Sequence, residues 1–421
     1  VYLLSTIYRW FFIMRRWVVY FTILFISCRL NYEAPLPTDN WALFDASKPL
    51  DSDSILKVMQ GIYFVQEGVG AFNNKAVCKY SYIAKTGTDT LRFISFFLEQ
   101  NAAFMVLEPR LSGDSIILKG YWRKMLNTET GKIRLSYKNR SFKGGFGAGT
   151  KNPELVMQMQ YASSLKTDTG FYIIAHRGGG RNSDLLPDSE NSLEMMRKAA
   201  QYGATAVEID ISLTSDGVPV VYHDDKINER STQKSGLVGD IKNYNYNQLE
   251  ALVRLIHGEK IPTLAQALET IYKETPLRAV WLDNKDPDAL PQVREIQSKF
   301  LERAKQDGKD FKIWIGVPSE EVKKAVLKLP DYNLISSLCE LEIKDLNDIG
   351  ATVWAPRWTL GLQNNEVQNL QQQGRTVFTW TVDVPQYAKQ YIQQGKFNGI
   401  LSNYPSLIAY YHYVNLNKEV E

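Results

Sequence analysis

The sequence predicts an α/β chain: a (β/α)8 barrel preceded by an all-β sandwich or small barrel. Three observations lead there. From residue 170 onward, apolar strand candidates alternate with helical stretches. One of them follows a tight hairpin signal; without it eight remain, joined by crossovers. Between 41 and 165, by contrast, short runs rich in aromatic and β-branched residues are separated by turn clusters.

The elements follow in chain order. At 421 residues the chain exceeds one ordinary domain. Residues 1–28 read as a signal segment: Arg15 and Arg16 precede the apolar run from Trp17 to Ile26, and Ser27-Cys28 follows. That run is too short to span a bilayer comfortably. Ser27 before Cys28 resembles a bacterial lipobox, which makes Cys28 a candidate lipidation site; the alternative is an uncleaved anchor helix. Met14, just before the arginines, is the expected translation start. Residues 29–40, with Pro35 and Pro37, read as a linker.

Residues 41–165 form the all-β domain. Its runs include Gly61 to Val65, Val77 to Ile83, Leu91 to Phe97 and Ser115 to Lys119, with turns at Lys85 to Asp89, Ser112 to Asp114 and Asn127 to Gly131. About eight strands at this spacing suggest a sandwich or small barrel. The stretch Gly144 to Gly149 lacks the Lys-Ser/Thr ending of a phosphate loop and reads as a flexible turn. The domain is rich in aromatics, most of which core packing explains, with a glycan or lipid surface as the alternative and Tyr121-Trp122-Arg123 as the triplet to test; no chemistry is assigned to it.

In the barrel region, 170–421, strand candidates fall at 171–175, 206–211, 218–222, 279–283, 312–316, 333–337, 351–354, 376–381 and 399–402. Ser215-Asp216-Gly217 makes 218–222 an antiparallel excursion. Helices are legible from Ser192 to Tyr202, ending at Gly203, and from Leu264 to Tyr272.

Chemistry in such a barrel sits at the C-terminal strand ends. His176 and Arg177 end the first strand. Glu208 and Asp210 end the second, and strand period two puts both on one face. Asp283 and Lys285 end the next. Three convergent carboxylates suit a hard divalent cation, Ca²⁺ or Mg²⁺. Arg177 and Lys285 are placed to hold phosphate oxygens. His223 closes the hairpin over the site. The remaining histidines, His257 and His412, are expected at the surface, and Cys339 in the core. A net charge of +3 without a long basic run argues against nucleic acid, and three cysteines make no disulfide framework.

These residues together resemble the glycerophosphodiester phosphodiesterase family. The resemblance rests on His176 to Gly178, Glu190 to Ser192, Glu208 to Asp210, Asp216 to Asp224, Ile261 to Leu264, Asp283 to Lys285 and Trp380 to Val382, in order over about 170–410. It implies a TIM barrel of the phosphatidylinositol phosphodiesterase-like type. It also implies a divalent metal held by Glu208, Asp210 and a third acid, Asp283, with two acid/base histidines, His176 and His223. Glu190 and Trp380 are candidates for substrate contact. Three departures stand out: Asp283 replaces the usual glutamate; Gly178 to Glu190 is longer and more polar, with Asp188-Ser189 where a proline is typical; and Asn403 stands where an aspartate is common.

The expected activity is hydrolysis of a glycerophosphodiester to glycerol 3-phosphate and an alcohol. A phospholipase D-like action on lysophospholipids, or a non-catalytic lipid- or glycan-binding lipoprotein, are the alternatives. The expected partners are the small-molecule diester and, through Cys28, a membrane, with neither nucleic acid nor a protein partner evident. The chain reads as a bacterial lipoprotein-like member with an extra N-terminal β domain, exported and anchored in the periplasm or at the cell surface.

Overall fold

The computed structural model describes residues 38–84, 90–166 and 170–417. The signal segment, Cys28 and most of the linker lie outside them. No helix of the described residues is long and apolar enough to cross a membrane.

The first module is a closed antiparallel barrel. Its strands are β1 (Lys48–Pro49), β2 (Gly61–Glu67), β3 (Lys75–Ala84), β4 (Thr90–Leu98), β5 (Ala103–Ser112), β6 (Ser115–Lys124), β7 (Thr130–Lys138), β8 (Ser141–Ala148) and β9 (Leu155–Ser163). From β2 to β9 each strand pairs with the next, and β2 pairs with β9 to close the ring, while β1 adds to β5. Of the two predicted forms, sandwich and small barrel, the barrel is found. Alternate side chains fill its interior, among them Tyr63, Phe96, Met105, Trp122, Phe142 and Met159. Phe142 packs on Tyr63, Phe96 and Tyr137 with ring centroids 5.1, 4.9 and 4.7 Å away.

The glycine-rich stretch is not a flexible turn. Gly144, Gly145 and Gly147 lie within β8. A Cβ on Gly145 would stand 2.3 Å from the carbonyl oxygen of Pro153, and one on Gly147 2.3 Å from that of Asn152. Glycine lets the chain before β9 fold flat against the strand.

The second module is the parallel barrel. Its strands continue as β10 (Tyr172–Ala175), β11 (Ala206–Leu213), β12 (Pro219–Val221), β13 (Lys226–Ile227), β14 (Gly239–Asp240), β15 (Ala279–Asn284), β16 (Lys312–Val317), β17 (Ser337–Cys339), β18 (Val353–Trp354), β19 (Thr376–Thr379) and β20 (Gly399–Ser402). Eight of them are parallel neighbours in the order β10-β11-β15-β16-β17-β18-β19-β20, and β20 returns to β10. β12 runs antiparallel to β11, as the Ser215-Asp216-Gly217 signal predicts. One strand sits later than expected: the 333–337 candidate is realised as Ser337–Cys339. Tyr332–Leu334 instead forms a 3-10 turn, entered through Asp331 at φ 55°.

Strand period two sorts the side chains. Ile174, Ala206, Trp281, Trp314, Leu338 and Phe378 share a cluster inside the barrel. Val207, Ile209, Val280 and Leu282 face the surrounding helices. Helix Leu193–Lys198 starts where Ser192 Oγ accepts the Met195 N–H at 3.0 Å, and a 3-10 turn carries it to Gly203 at φ +104°. Thr263 and Gln266 form a capping box on helix Leu264–Glu274.

The two modules share one apolar core. Phe97, Phe104 and Val106 from the first join Tyr202, Ala200 and Ala409 from the second. The rings of Phe104 and Tyr202 lie 5.0 Å apart. Buried Arg123 donates from Nη2 to the carbonyl of Asp184 at 2.6 Å. His412, expected at the surface, is buried and stacks on Phe171 at 4.2 Å, because the final helix Pro405–Leu416 lies between the modules. Cys339 is buried, as expected of a core residue.

Candidate active site

The parallel register brings the acids together. Asp210 on β11 stands opposite Asp283 on β15, and Glu208 opposite Trp281. Glu208 and Asp210 alternate with Val207 and Ile209, so they point inward where their neighbours point out. One oxygen from each of Glu208, Asp210 and Asp283 lies within 4.8 Å of the others.

The residues after β10 turn sharply to meet them. Arg177 adopts φ +52°, which lets its backbone N–H donate to Glu208 Oε2 at 2.8 Å. Asn191, at φ +63°, donates its backbone N–H to the Arg177 carbonyl and its side-chain amide to Asp210 Oδ2 at 2.8 Å. Left-handed backbone at two non-glycine residues beside one site is a feature of functional loops. Lys285 Nζ donates to Asp210 Oδ1 at 2.8 Å and stands 3.3 Å from Asp283 Oδ2.

These groups face a cavity of about 450 Å³. His176, Arg177, His223, Asp283, Lys285 and Trp380 all line it, as do Glu208 and Asp210. Trp380 forms wall: its Nε1 donates to the Ala355 carbonyl at 2.8 Å, and the Arg357 guanidinium lies 4.7 Å from its ring. A second hollow of about 390 Å³, with Lys226, Asp240 and Lys242 in its lining, shares His223 and Lys285 with the first.

Glu190 stands behind the cavity rather than in its lining. It is buried and accepts from Arg177 Nη1 at 2.8 Å, while Arg230 Nη1 lies at 3.0 Å. The long link before it is packed, not loose. Asn182, Asp184, Asp188 and Ser189 are buried, Arg181 pairs with Asp184, and Ser189 Oγ donates to Glu259.

The histidines differ in their partners. His223 Nδ1 donates to Asp224 Oδ1 at 2.8 Å, and its Nε2 lies 3.9 Å from Asp210 Oδ1. Burial would raise the Asp224 carboxyl, but hydrogen bonds from His223, Arg230, Asn228 and Ser231 outweigh it and hold Asp224 well below the usual range. His176 Nδ1 lies 2.7 Å from Asn403 Oδ1, and its Nε2 3.7 Å from Glu208 Oε2. Burial pushes the His176 imidazole down to about 4.

The acids are strongly unequal. Burial, then the like charges of Asp210 and Asp283, hold Glu208 well above the normal carboxyl range. Burial also raises Asp283. Burial acts the same way on Asp210, but Lys285 and both histidines overcome it and keep it low. Glu208 Oε1 and Asp283 Oδ1 are buried without a hydrogen-bond partner among the described residues. Hard oxygen donors, converged and partly unpaired, fit a divalent cation.

The sequence pattern did not single out several contributors. Glu340, just after β17, lines the cavity with Oε1 buried and without a hydrogen-bond partner among the described residues; Arg357 and Trp281 line it too. Asn191 and Asp224, which fall within the quoted motifs without an assigned role, and Arg230 and Asp383, which do not, support the groups that face it.

The fold and the site define a (β/α)8-barrel protein with a paired-histidine, three-carboxylate centre at its C-terminal mouth. The profile of the "Glycerophosphoryl diester phosphodiesterase family" matches residues 176–407. The chain belongs to that family. Glycerophosphodiester phosphodiesterase 1 of Homo sapiens is 41% identical over 109 residues, which cover 25% of this chain and 31% of that protein. A glycerophosphodiester phosphodiesterase of Caldanaerobacter subterraneus subsp. tengcongensis is 26% identical over 242 residues, covering 56% of this chain and 95% of that protein. The chain thus spans less than a third of the mammalian relatives it matches and nearly all of the bacterial one. A solved glycerophosphodiester phosphodiesterase structure from Parabacteroides distasonis aligns with TM-score 0.46 and 24% identity over 60% of this chain and 100% of that one.

Proposed function

We propose that the protein hydrolyses glycerophosphodiesters to glycerol 3-phosphate and an alcohol. The observation that carries this reading is the convergence of two histidines and three carboxylates on one cavity of a size suited to a small ligand, in a chain of this family. Glu208, Asp210 and Asp283 would hold Ca²⁺ or Mg²⁺, which when bound supplies charge neutralisation at the phosphate and a more acidic hydroxyl.

The chain's own residues do the rest. Arg177 and Lys285 hold the phosphate oxygens and offset the charge that grows on them. His176 Nε2 takes the proton of the attacking hydroxyl, from water or the substrate's own glycerol, as its oxygen bonds to phosphorus; in the second case the cyclic phosphate formed is opened by water in a further step, which breaks one ring P–O bond and gives glycerol 3-phosphate. His223 Nε2 gives a proton to the alcohol oxygen as its bond to phosphorus breaks. Two features support this order. His176 is backed by a neutral amide, which suits a ring that starts with one proton. His223 is backed by the Asp224 carboxylate, which pairs with a ring carrying two, and it stands between the two hollows, where a departing alcohol would extend.

A substrate panel tests the reading. Glycerophosphocholine, glycerophosphoethanolamine, glycerophosphoinositol and a lysophosphatidylcholine are each offered with Ca²⁺ or Mg²⁺, and the released headgroup alcohol is measured for every substrate, with glycerol 3-phosphate as the co-product from the soluble diesters. Release from the soluble diesters is expected. Cleavage of the lysolipid alone would shift the reading to a phospholipase D-like activity, and no cleavage at all to a binding protein.

For location, we propose export and membrane anchoring through a lipidated Cys28. Support comes from Arg15 and Arg16, the apolar run after them, and Ser27-Cys28. In a bacterial host, Cys28→Ala is expected to abolish incorporation of labelled fatty acid; undiminished labelling would overturn this.

A further inference from the structure

We infer that Asn403 and Asp383 are positioning residues that fix the proton of His176 on Nδ1, so that Nε2 is the nitrogen presented to the cavity. The step from there to catalysis rests on the proposed role of His176 as base; the tautomer itself does not.

The argument runs from the carboxylate inward. Asp383, when ionised, only accepts hydrogen bonds. Its Oδ1 accepts from the Ser402 hydroxyl at 3.0 Å and from the Asn403 backbone N–H at 2.9 Å. Its Oδ2 lies 2.6 Å from the side-chain nitrogen of Asn403. The amide must therefore turn its NH₂ toward Asp383, because the reverse orientation would set an amide oxygen against a carboxylate oxygen. That leaves Asn403 Oδ1, 2.7 Å from His176 Nδ1, as an acceptor only. A neutral imidazole can meet it only with the proton on Nδ1.

The chain of bonds is well braced. Asn403 is 3% exposed and Ser402 fully buried. Ser402 ends β20 and Asn403 follows it directly; β20 is paired in register with β10, with Ser402 opposite Ala175, the residue before His176. Asp383 reaches in from the segment after β19, so three neighbouring strand ends set one ring.

The test is nitrogen NMR of the full chain labelled at histidine. The chain has four histidines, and His176→Gln identifies the signal. In the parent protein, Nδ1 of His176 is expected to read as the proton-bearing nitrogen and Nε2 as the bare one; the opposite tautomer would overturn the inference whatever the activity. Asn403→Leu is expected to mix the tautomers and lower kcat by about 10–100-fold with little change in KM. The double exchange Asn403→Asp with Asp383→Asn re-creates an acceptor toward His176 and a donor behind it. Read at a pH where the ring is neutral, it is expected to restore the single tautomer. Failure of the exchange to recover the tautomer that Asn403→Leu loses would count against the relay. If the tautomer behaves as expected in all three proteins while kcat stays constant, the positioning role fails and only a structural one remains.

Discussion

Replacing His176 or His223 by alanine is expected to lower turnover by about 10²–10⁴-fold while the thermal transition moves little. Neither ring belongs to the apolar core: the side chains retain 21% and 28% of their exposure. Each loses one direct hydrogen bond on truncation, to Asn403 or to Asp224, a change on the order of 1 kcal/mol. The loss in rate is larger because each ring presents its second nitrogen to the cavity beside the acids. Groups that act on the same step are not additive, so the double variant should fall close to the worse single one. The measurement is kcat on the best soluble diester, with far-ultraviolet circular dichroism as the control for folding. A single variant that keeps more than a tenth of the parent rate would remove that histidine from the proposed mechanism.

Chelation is expected to abolish turnover, and Ca²⁺ or Mg²⁺ to restore it. The same cation should raise the thermal transition, because a ligand held only by the folded state at about 100 times its Kd adds about 2.7 kcal/mol. Asp210→Asn should remove both effects. Asp210 is the acid that Lys285 and the Asn191 amide keep in place, and it offers an oxygen within 4.8 Å of those of Glu208 and Asp283, with Oδ1 3.9 Å from His223 Nε2. A binding signal independent of turnover comes from Trp281, which lines the same cavity and can sensitise the luminescence of terbium used in place of Ca²⁺. Full activity after exhaustive chelation, with no cation-dependent shift in melting, would mean that the carboxylates work without a metal.

What the sequence showed of the site was what strand periodicity carries. Glu208 and Asp210 separated by one apolar residue, Asp283 and Lys285 in the same spacing, and the hairpin that brings in His223 all follow from local pattern. What it did not show depends on long-range closure. Glu340 was hidden because an exposed 3-10 turn at Tyr332–Leu334 delays β17, carrying the strand end past the predicted place. The relay behind His176 joins positions 227 residues apart, and no local spacing encodes it. The β-rich strands were legible as strands, but choosing barrel over sandwich required knowing that β2 meets β9. Nor can sequence distinguish a glycine that frees a turn from Gly145, which makes room for Pro153.

The joint core of Phe97, Phe104, Tyr202 and Ala409 bears on how a substrate gets in and out. Two modules that bury each other's aromatic rings are held together by the core they share. The polar link that braces Arg177 is itself tied to the first module through Arg123. Entry to the cavity therefore falls to the groups at its rim, such as Arg357 over Trp380 and the hairpin that carries His223. Side chains and loops move in picoseconds to microseconds, well ahead of domain opening. For the proposed reaction, substrate exchange is therefore expected at the mouth rather than through parting of the two modules.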